Sequence, residues 1–357
     1  MPATRAIFTD TTGEPYIAPV DEIYAPLPNE VLVQVEFSGI NPADLGHARV
    51  GFNNTVAGYD FSGTVIATGA ERAGEFHAGD RVMGFAAPAL DKPKQYGAHQ
   101  DVHCARHFVY HVPAAMPMEE AACFMVVTHT AADALFNQLH LSLDASGGDN
   151  PETQPLLIWG GASAVGTAAI QLAAKAGCTP ILTTASPHNH AALRQLGATE
   201  CFDYADPDVV SKIRAALAKY TSRPLARVLD AVVAHSPPAS STTLCEACVD
   251  HATVNALFTS PVPAAKEATR LWTRTFACRN VAVDFTLPDG TVLRHAPDQQ
   301  MQDRIDRVTR WAIAAYGTEY RMPNVAVVQG GEAGMRAMRD AVAGKASMQK
   351  FVIQHPI

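Results

Sequence analysis

The chain has 357 residues, more than a single hydrophobic core usually serves, so two domains are expected. Hydrophobic residues make up 48% and charged residues 17%, and the formal net charge is −8 with no basic stripe, which argues against nucleic acid or an anionic membrane surface as partner. No apolar run approaches the ~18 residues of a membrane span, residues 1–5 lack the apolar core of a signal peptide, and seven scattered cysteines suit reduced thiols, so a cytoplasmic protein is expected.

In the first 120 residues, short β-rich runs at Glu30 to Phe37, Thr64 to Ala67, Arg81 to Phe85 and Phe108 to Val112 alternate with Gly, Pro and Asp. They predict a compact, mostly β domain. At Pro117 the pattern changes. Met118-Glu119-Glu120-Ala121-Ala122 begins a helix with its acids in the first turn, where the dipole favours them, and a second helix is predicted from Ala131 to Leu139. Leu141 to Gln154, with Ser-Gly-Gly-Asp-Asn-Pro inside it, reads as a surface loop.

From Leu156 strand and helix alternate: 156–160, 163–176, 179–185, 188–196, Glu200 to Asp203, Asp206 to Lys219, Arg227 to Val233, Pro238 to Cys248 and Ala252 to Leu257. Strands separated by helices of this length imply parallel crossovers and a doubly wound sheet. Helices are also expected at Asp298 to Tyr316 and Gly331 to Ala343, with a last strand at Phe351 to Gln354. Cys245 and Cys248, the one close pair, read as buried cysteines in a helix, with no second pair to make a metal site.

Pro155 to Asn189 carries the chemistry. The apolar strand ending in Trp159 turns through Gly160-Gly161-Ala162-Ser163-Ala164-Val165-Gly166 directly into a helix, the arrangement that lets a pyrophosphate approach backbone N–H groups. Ser163 replaces the middle glycine of the textual motif. The next strand ends in Ser186-Pro187-His188-Asn189, with no acid for a ribose 2′-hydroxyl. Hydroxyl, imidazole and amide suit a 2′-phosphate, so NADP is the expected cofactor.

Further motifs are Val35-Glu36-Phe37-Ser38-Gly39-Ile40-Asn41-Pro42-Ala43-Asp44, Gly58-Tyr59-Asp60-Phe61-Ser62-Gly63, Ala78-Gly79-Asp80-Arg81-Val82 and Glu120-Ala121-Ala122 leading to Thr130-Ala131. In this order they resemble the zinc-independent medium-chain dehydrogenase/reductases along essentially the whole chain. Trp159-Gly160-Gly161, the Ser186-Pro187-His188-Asn189 tip, Phe202-Asp203-Tyr204 and Val327-Val328-Gln329-Gly330-Gly331 are similar to the trans-acting enoyl reductases of fungal polyketide biosynthesis. The resemblance implies an α/β fold, a Rossmann doubly wound parallel sheet (126–317) plus a GroES-like mostly β domain (1–125 and 318–357). It implies cofactor contacts from Ala43, Asp44, Gly160, Gly161, Ala162, Ser163, Ala164, Val165, Ser186, Pro187, His188, Asn189, Tyr204, Leu257, Phe258, Met348 and Gln349. Phe124, Met125, Val126, Val127, Thr128, His129, Thr130 and Ala131 would line the substrate and nicotinamide cleft.

Zinc-dependent relatives place a cysteine ligand where this chain has Asn41-Pro42, so no metal is expected. The polyketide-associated reductases carry a lysine five residues beyond that Asn; here the position is Gly46, followed by His47. A cation there would stabilise enolate charge and relay a proton. His47, or preferably His129, would have to supply the proton, with Thr130 holding the oxyanion. The implied reaction is NADPH-dependent reduction of an activated C=C bond in an apolar or carrier-bound polyketide, with a polyketide synthase as partner in trans. The alternatives are a non-reducing cyclase or isomerase on the same fold, a generic quinone oxidoreductase, and an NADP-binding structural protein. Oligomeric state stays open with a monomer favoured; pairing in the wider family would use a Rossmann edge strand near Val281 to Thr286.

Overall fold

The computed structural model describes residues 4–89, 92–143, 154–235, 239–286 and 292–357, and every structural statement below is made of these. Two compact units result, one of Met1–Val126, Arg279–Asp298 and Met322–Ile357, the other of Val127–Cys278 and Gln299–Arg321.

The first unit is built on the strand Val31–Gly39, whose Val31, Val33 and Val35 point alternately into a core with Phe61, Val65, Val82 and Val109. Its sheet runs Asn324–Gln329, Gln349–Gln354, Val31–Gly39, Asp60–Thr68, Arg81–Phe85, Val109–His111, with Val102–Ala105 also pairing to Val31–Gly39. The last strand of the chain is thus inserted beside one of the first, parallel to Asn324–Gln329 and antiparallel to Val31–Gly39. A smaller sheet joins Pro15–Val20, Thr4–Thr9 and Thr55–Val56.

Where the C-terminal strand meets Val31–Gly39, a lysine lies inside the protein. Lys350 donates from Nζ to Asn41 Oδ1 (2.6 Å) and to the Ile40 carbonyl (3.1 Å), and stands 3.6 Å from Asp60 Oδ2. Asp60 also accepts from Asn41 Nδ2 (2.9 Å) and from the Val126 backbone N–H (2.8 Å). Burial pushes the Asp60 carboxyl up, and the lysine opposes that shift.

The second unit is a six-stranded parallel sheet in the order Glu200–Phe202, Ile181–Thr184, Leu156–Trp159, Arg227–Asp230, Leu257–Ser260, Trp272–Arg274. In the unit's own numbering this is 3-2-1-4-5-6, the doubly wound order with its switch point beside the first strand. Leu157, Leu182, Val228 and Phe258 from the strands pack with Ile213, Ala216, Cys245 and Cys248. All seven cysteines of the chain are buried and unbridged.

Three expectations are corrected. The helix expected at Ala131 to Leu139 is the continuation of Met125–Ala132, which widens into a π-helix over Asp133–Gln138. The buried Asp133 carboxylate stabilises that turn, accepting from Asn137 Nδ2 (2.7 Å) and the Phe276 N–H (2.9 Å). The strand expected from Ala252 starts only at Leu257, because Asp250 draws the N–H groups of Ala252 and Thr253 into a turn. The edge of the parallel sheet is Trp272–Arg274, not Val281 to Thr286; Val283–Thr286 instead pairs with Val292–His295 as a separate antiparallel hairpin in the first unit. Most of the loop read at Leu141 to Gln154, and Pro238 at the start of the expected helix, lie outside the described residues.

The Lys350 cluster generates a stability prediction. Lys350→Met leaves Asp60 as an uncompensated buried carboxylate and is expected to cost about 3–5 kcal/mol in urea denaturation, whereas Lys350→Met combined with Asp60→Asn recovers much of that loss. Additive losses in the double variant would show that the two residues do not act as a pair.

Candidate functional site

In the second unit the turn after Leu156–Trp159 has the shape its sequence suggests. Gly160 has φ +83°, and a Cβ there would lie 2.6 Å from Val232 Cγ1. A Cβ on Gly166 would lie 2.3 Å from the Gly160 carbonyl oxygen, so the first helical turn rests directly on the glycine turn. Ser163, at the position of the missing motif glycine, caps the helix Ala164–Lys175: its Oγ accepts from the Gly166 N–H at 3.0 Å. The substitution therefore keeps the helix N-terminus open while satisfying one of its donors.

Val232 is fixed from the neighbouring strand. Asp230, fully buried at the end of Arg227–Asp230, accepts from the N–H groups of Val232 (3.2 Å) and Val233 (2.9 Å) and from Ser241 Oγ (2.6 Å). Burial pushes its carboxyl up, against these hydrogen bonds.

The polar tip after Ile181–Thr184 is a 3-10 turn, Pro187–Asn189. His188 and Tyr204 are exposed, and Ser186 Oγ lies 3.2 Å from Tyr204 Oη, so hydroxyl and phenol stand side by side with the exposed imidazole two residues along the chain. Asn189 is buried. Of the other residues expected at the cofactor, Ala162 is buried, Ala164 and Val165 are half-buried at the helix start, and Ala43, Met348 and Gln349 are half-buried in the first unit. The Phe258 side chain belongs to the core, 5.0 Å from the Trp272 ring, which leaves only its backbone for a ligand, whereas Leu257 is half-buried.

The run Phe124 to Ala131 is buried except for half-buried Val126. Thr128 Oγ1 is committed to Tyr320 Oη at 2.8 Å. His129 is fully buried; its Nδ1 donates to the Ala277 carbonyl at 2.8 Å, making Nε2 the unprotonated nitrogen of the neutral ring, and burial pushes its pKa down. Thr130 is buried beside it.

In the first unit Asn41-Pro42-Ala43-Asp44 forms the short helix Pro42–Gly46, with Asp44 Oδ2 accepting the Asn41 N–H at 2.7 Å. Nothing lies within 4 Å of a Cβ built on Gly46, so its lack of a side chain is a loss of chemistry rather than a steric need. His47 Nδ1 is 2.8 Å from Tyr59 Oη, and the Lys92 ammonium lies over the Tyr59 ring, 5.2 Å from its centre. Sequence reasoning missed Lys92 and Lys350. Lys350 left a signal, a charge next to the apolar run Phe351-Val352-Ile353; Lys92 sits in a polar loop and left none.

Residues 27–119 match the family model of the alcohol dehydrogenase GroES-like domain, and residues 164–256 match that of the zinc-binding dehydrogenases. The chain belongs to the medium-chain dehydrogenase/reductase family. Its curated relatives include a trans-enoyl reductase of Pyricularia grisea, 38% identical over 57% of this chain and 54% of the relative, and another of Aspergillus niger, 33% identical over 67% and 65%. The chain therefore spans about half to two thirds of the length of the curated relatives it matches. Among solved structures, an alcohol dehydrogenase superfamily protein of Novosphingobium aromaticivorans (TM-score 0.73, 22% identity, 99% of this chain and 100% of that one) and the CurK enoyl reductase (TM-score 0.71, 18% identity, 99% and 100%) share the fold.

Medium-chain dehydrogenase/reductases generally use NAD(P)H, and the turn has the close packing such a cofactor site needs: a side chain at Gly160 would meet Val232, and one at Gly166 the backbone of Gly160 and Gly161. Zinc does not fit. Asn41 Oδ1 receives the Lys350 ammonium, Asn41 Nδ2 points at Asp60, and Asp60 is held by that lysine and a backbone N–H, a set that opposes a second cation. Among the described residues no group of three or more His, Cys, Asp or Glu could hold a metal, and no helix is long and apolar enough to cross a membrane.

Gly166→Ala is expected to fold yet weaken dinucleotide binding about tenfold or more, since its Cβ forces the helix start away from the turn. Fluorescence titration with NADPH measures it; unchanged affinity would mean the cofactor does not use this turn.

Proposed function

We propose that the protein is an NADPH-dependent enoyl reductase that saturates an activated C=C bond in an apolar polyketide intermediate, free or carrier-bound, supplied in the cytoplasm by a polyketide synthase acting in trans. The observation that carries the reading is the joining of a dinucleotide turn to an acid-free tip of Ser186, His188 and Tyr204, in a chain whose relatives are named trans-enoyl reductases. Bound NADPH would supply the hydride.

The chain's own residues do the rest. Backbone N–H groups at the start of Ala164–Lys175 bind the pyrophosphate, with Ser163 keeping that helix start in place. Ser186, His188 and Tyr204 take the 2′-phosphate by hydrogen bonds to its oxygens. Asn41 and Asp44 hold the segment that carries Ala43, Gly46 and His47. For the proton, His47 is better supported than His129: it is half-buried and bonded to a phenol, whereas the His129 ring is buried, kept neutral and tied to a carbonyl. Thr130 would hold the oxyanion at the carbonyl of the substrate.

Mixing the protein with NADPH and an α-methyl enoyl thioester should oxidise the nicotinamide and raise the product mass by two hydrogens. Cofactor binding without oxidation across enoyl and quinone acceptors would overturn the reductase reading, and conversion without a mass change would establish an isomerase or cyclase. Ser186→Ala with His188→Ala should weaken NADPH by about tenfold or more, from the loss of charge-assisted hydrogen bonds, and NADH little. Equal losses for both cofactors would overturn the 2′-phosphate assignment.

A further inference from the structure

A continuous line of hydrogen-bonding groups runs through the first unit. Asp101, partly exposed at its side chain, has its Oδ1 3.0 Å from His355 Nδ1. His355 Nε2 is 2.9 Å from Ser38 Oγ, Ser38 Oγ is 2.9 Å from His99 Nδ1, and His99 Nε2 is 3.3 Å from Asp44 Oδ2. Ser38, His99 and Asp44 are buried, and both nitrogens of each imidazole are engaged in the line. At its inner end Asp44 Oδ1 is buried with no hydrogen-bond partner. Asp44 lines a cavity of about 10 Å³ together with Tyr59 and Lys92, room for roughly one water. Lys92 is buried and has no carboxylate within 4 Å among the described residues. A purely structural line would be expected to end on a satisfied group. This one ends on an open carboxylate oxygen facing a lysine across a water-sized gap.

We propose that Asp101, His355, Ser38, His99 and Asp44 form a proton relay from the surface to Lys92, which stores the proton that each reduction consumes. The role in turnover rests on the enoyl reductase reading. Reduction adds a hydride to the β-carbon and a proton to the α-carbon. Lys92 gives up one N–H proton through a water in the cavity that it shares with Tyr59, and keeps the electron pair as a neutral amine; the Tyr59 hydroxyl takes up that proton while releasing its own to His47 Nδ1, 2.8 Å away. A proton then enters at Asp101, His355 and His99 each accept on Nδ1 and release from Nε2, Ser38 passes its hydroxyl proton between them, and Asp44 returns a proton to the amine through the cavity. No electrons move in this step.

Burial lowers the Lys92 pKa to about 8, with Asp44 opposing the shift, so the store is charged at neutral pH and empties as pH rises through that value. The titratable groups around it are Asp44, Tyr59 with His47, and His103, which burial keeps neutral with a pKa of about 3.

Two measurements test the relay. In the first, full-length protein carrying 13C-labelled lysine is titrated by NMR at the lysine Cε signals, with Lys92→Arg giving the assignment. Lys92 should titrate near 8 and move down by about one unit in Asp44→Asn. Titration with the exposed lysines, or indifference to Asp44, overturns the proposal. In the second, Ser38→Ala cuts the line while leaving Asp44 and Lys92 in place. Its first turnover with NADPH and enoyl thioester should be normal, kcat should fall roughly 10²-fold, and imidazole buffer should restore it. A loss that imidazole does not rescue, or no loss, overturns the relay. Should the unaltered protein reduce no acceptor, the functional reading fails, and the Lys92 titration alone decides whether the cavity holds a proton store.

Discussion

The first unit depends on one buried ammonium. Lys350 arrives on the last strand of the chain and is neutralised by Asp60, on a strand formed some 290 residues earlier in sequence, with Asn41 between them. An isolated buried charge would cost several kcal/mol, so the C-terminal strand can take this place only if Asp60 and Asn41 are already positioned. Once it does, Asn41 is fixed on both its amide atoms, and Asp60 anchors the Val126 N–H. The segment that carries Asp44, Gly46 and His47 therefore takes its geometry from a salt bridge that no residue near the chemistry would reveal. Such an interaction adds little net stability compared with an apolar replacement; it restricts which arrangement of strands is tolerated.

In the second unit the corresponding constraint is steric. The Asp230 carboxylate draws in two successive N–H groups and a hydroxyl, which brings Val232 against Gly160 and leaves that position accessible to glycine alone. Ser163 then satisfies one helix N–H from within. A carboxylate, a valine and a serine hydroxyl thus shape one glycine turn and the helix start behind it.

Much of this was legible in the sequence because it depends on local grammar. The parallel sheet followed from alternating strands and helices, and the tight turn into Ala164–Lys175 from glycine spacing. What escaped notice was set by distant contacts. The strands Trp272–Arg274 and Asn324–Gln329 are short or irregularly patterned and exist because a partner strand offers them unpaired backbone, and Val283–Thr286, read as an edge of the parallel sheet, pairs with Val292–His295 instead. Leu257 displaced the expected strand because Asp250 took the preceding N–H groups. His129 looked suited to proton donation as a histidine in an apolar run. Its burial and the Ala277 carbonyl, 148 residues away, turn it toward a neutral, structural state. Lys92 shows the converse, a residue of ordinary surface type drawn into the interior.

The buried cysteines acquire a different meaning beside an electrophilic substrate. Activated alkenes add readily to thiolates, so a protein that handles them risks alkylating itself with every turnover. Each of the seven thiols is buried. Burial holds Cys104, Cys123 and Cys248 up at about 12 and Cys178 at about 11, and raises Cys201 and Cys245 as well. At neutral pH almost none of these six is a thiolate, and the thioether-forming reaction lacks its nucleophile. On the proposed enoyl reductase reading, packing that reads in the sequence as ordinary core filling gives the chain resistance to its own substrates.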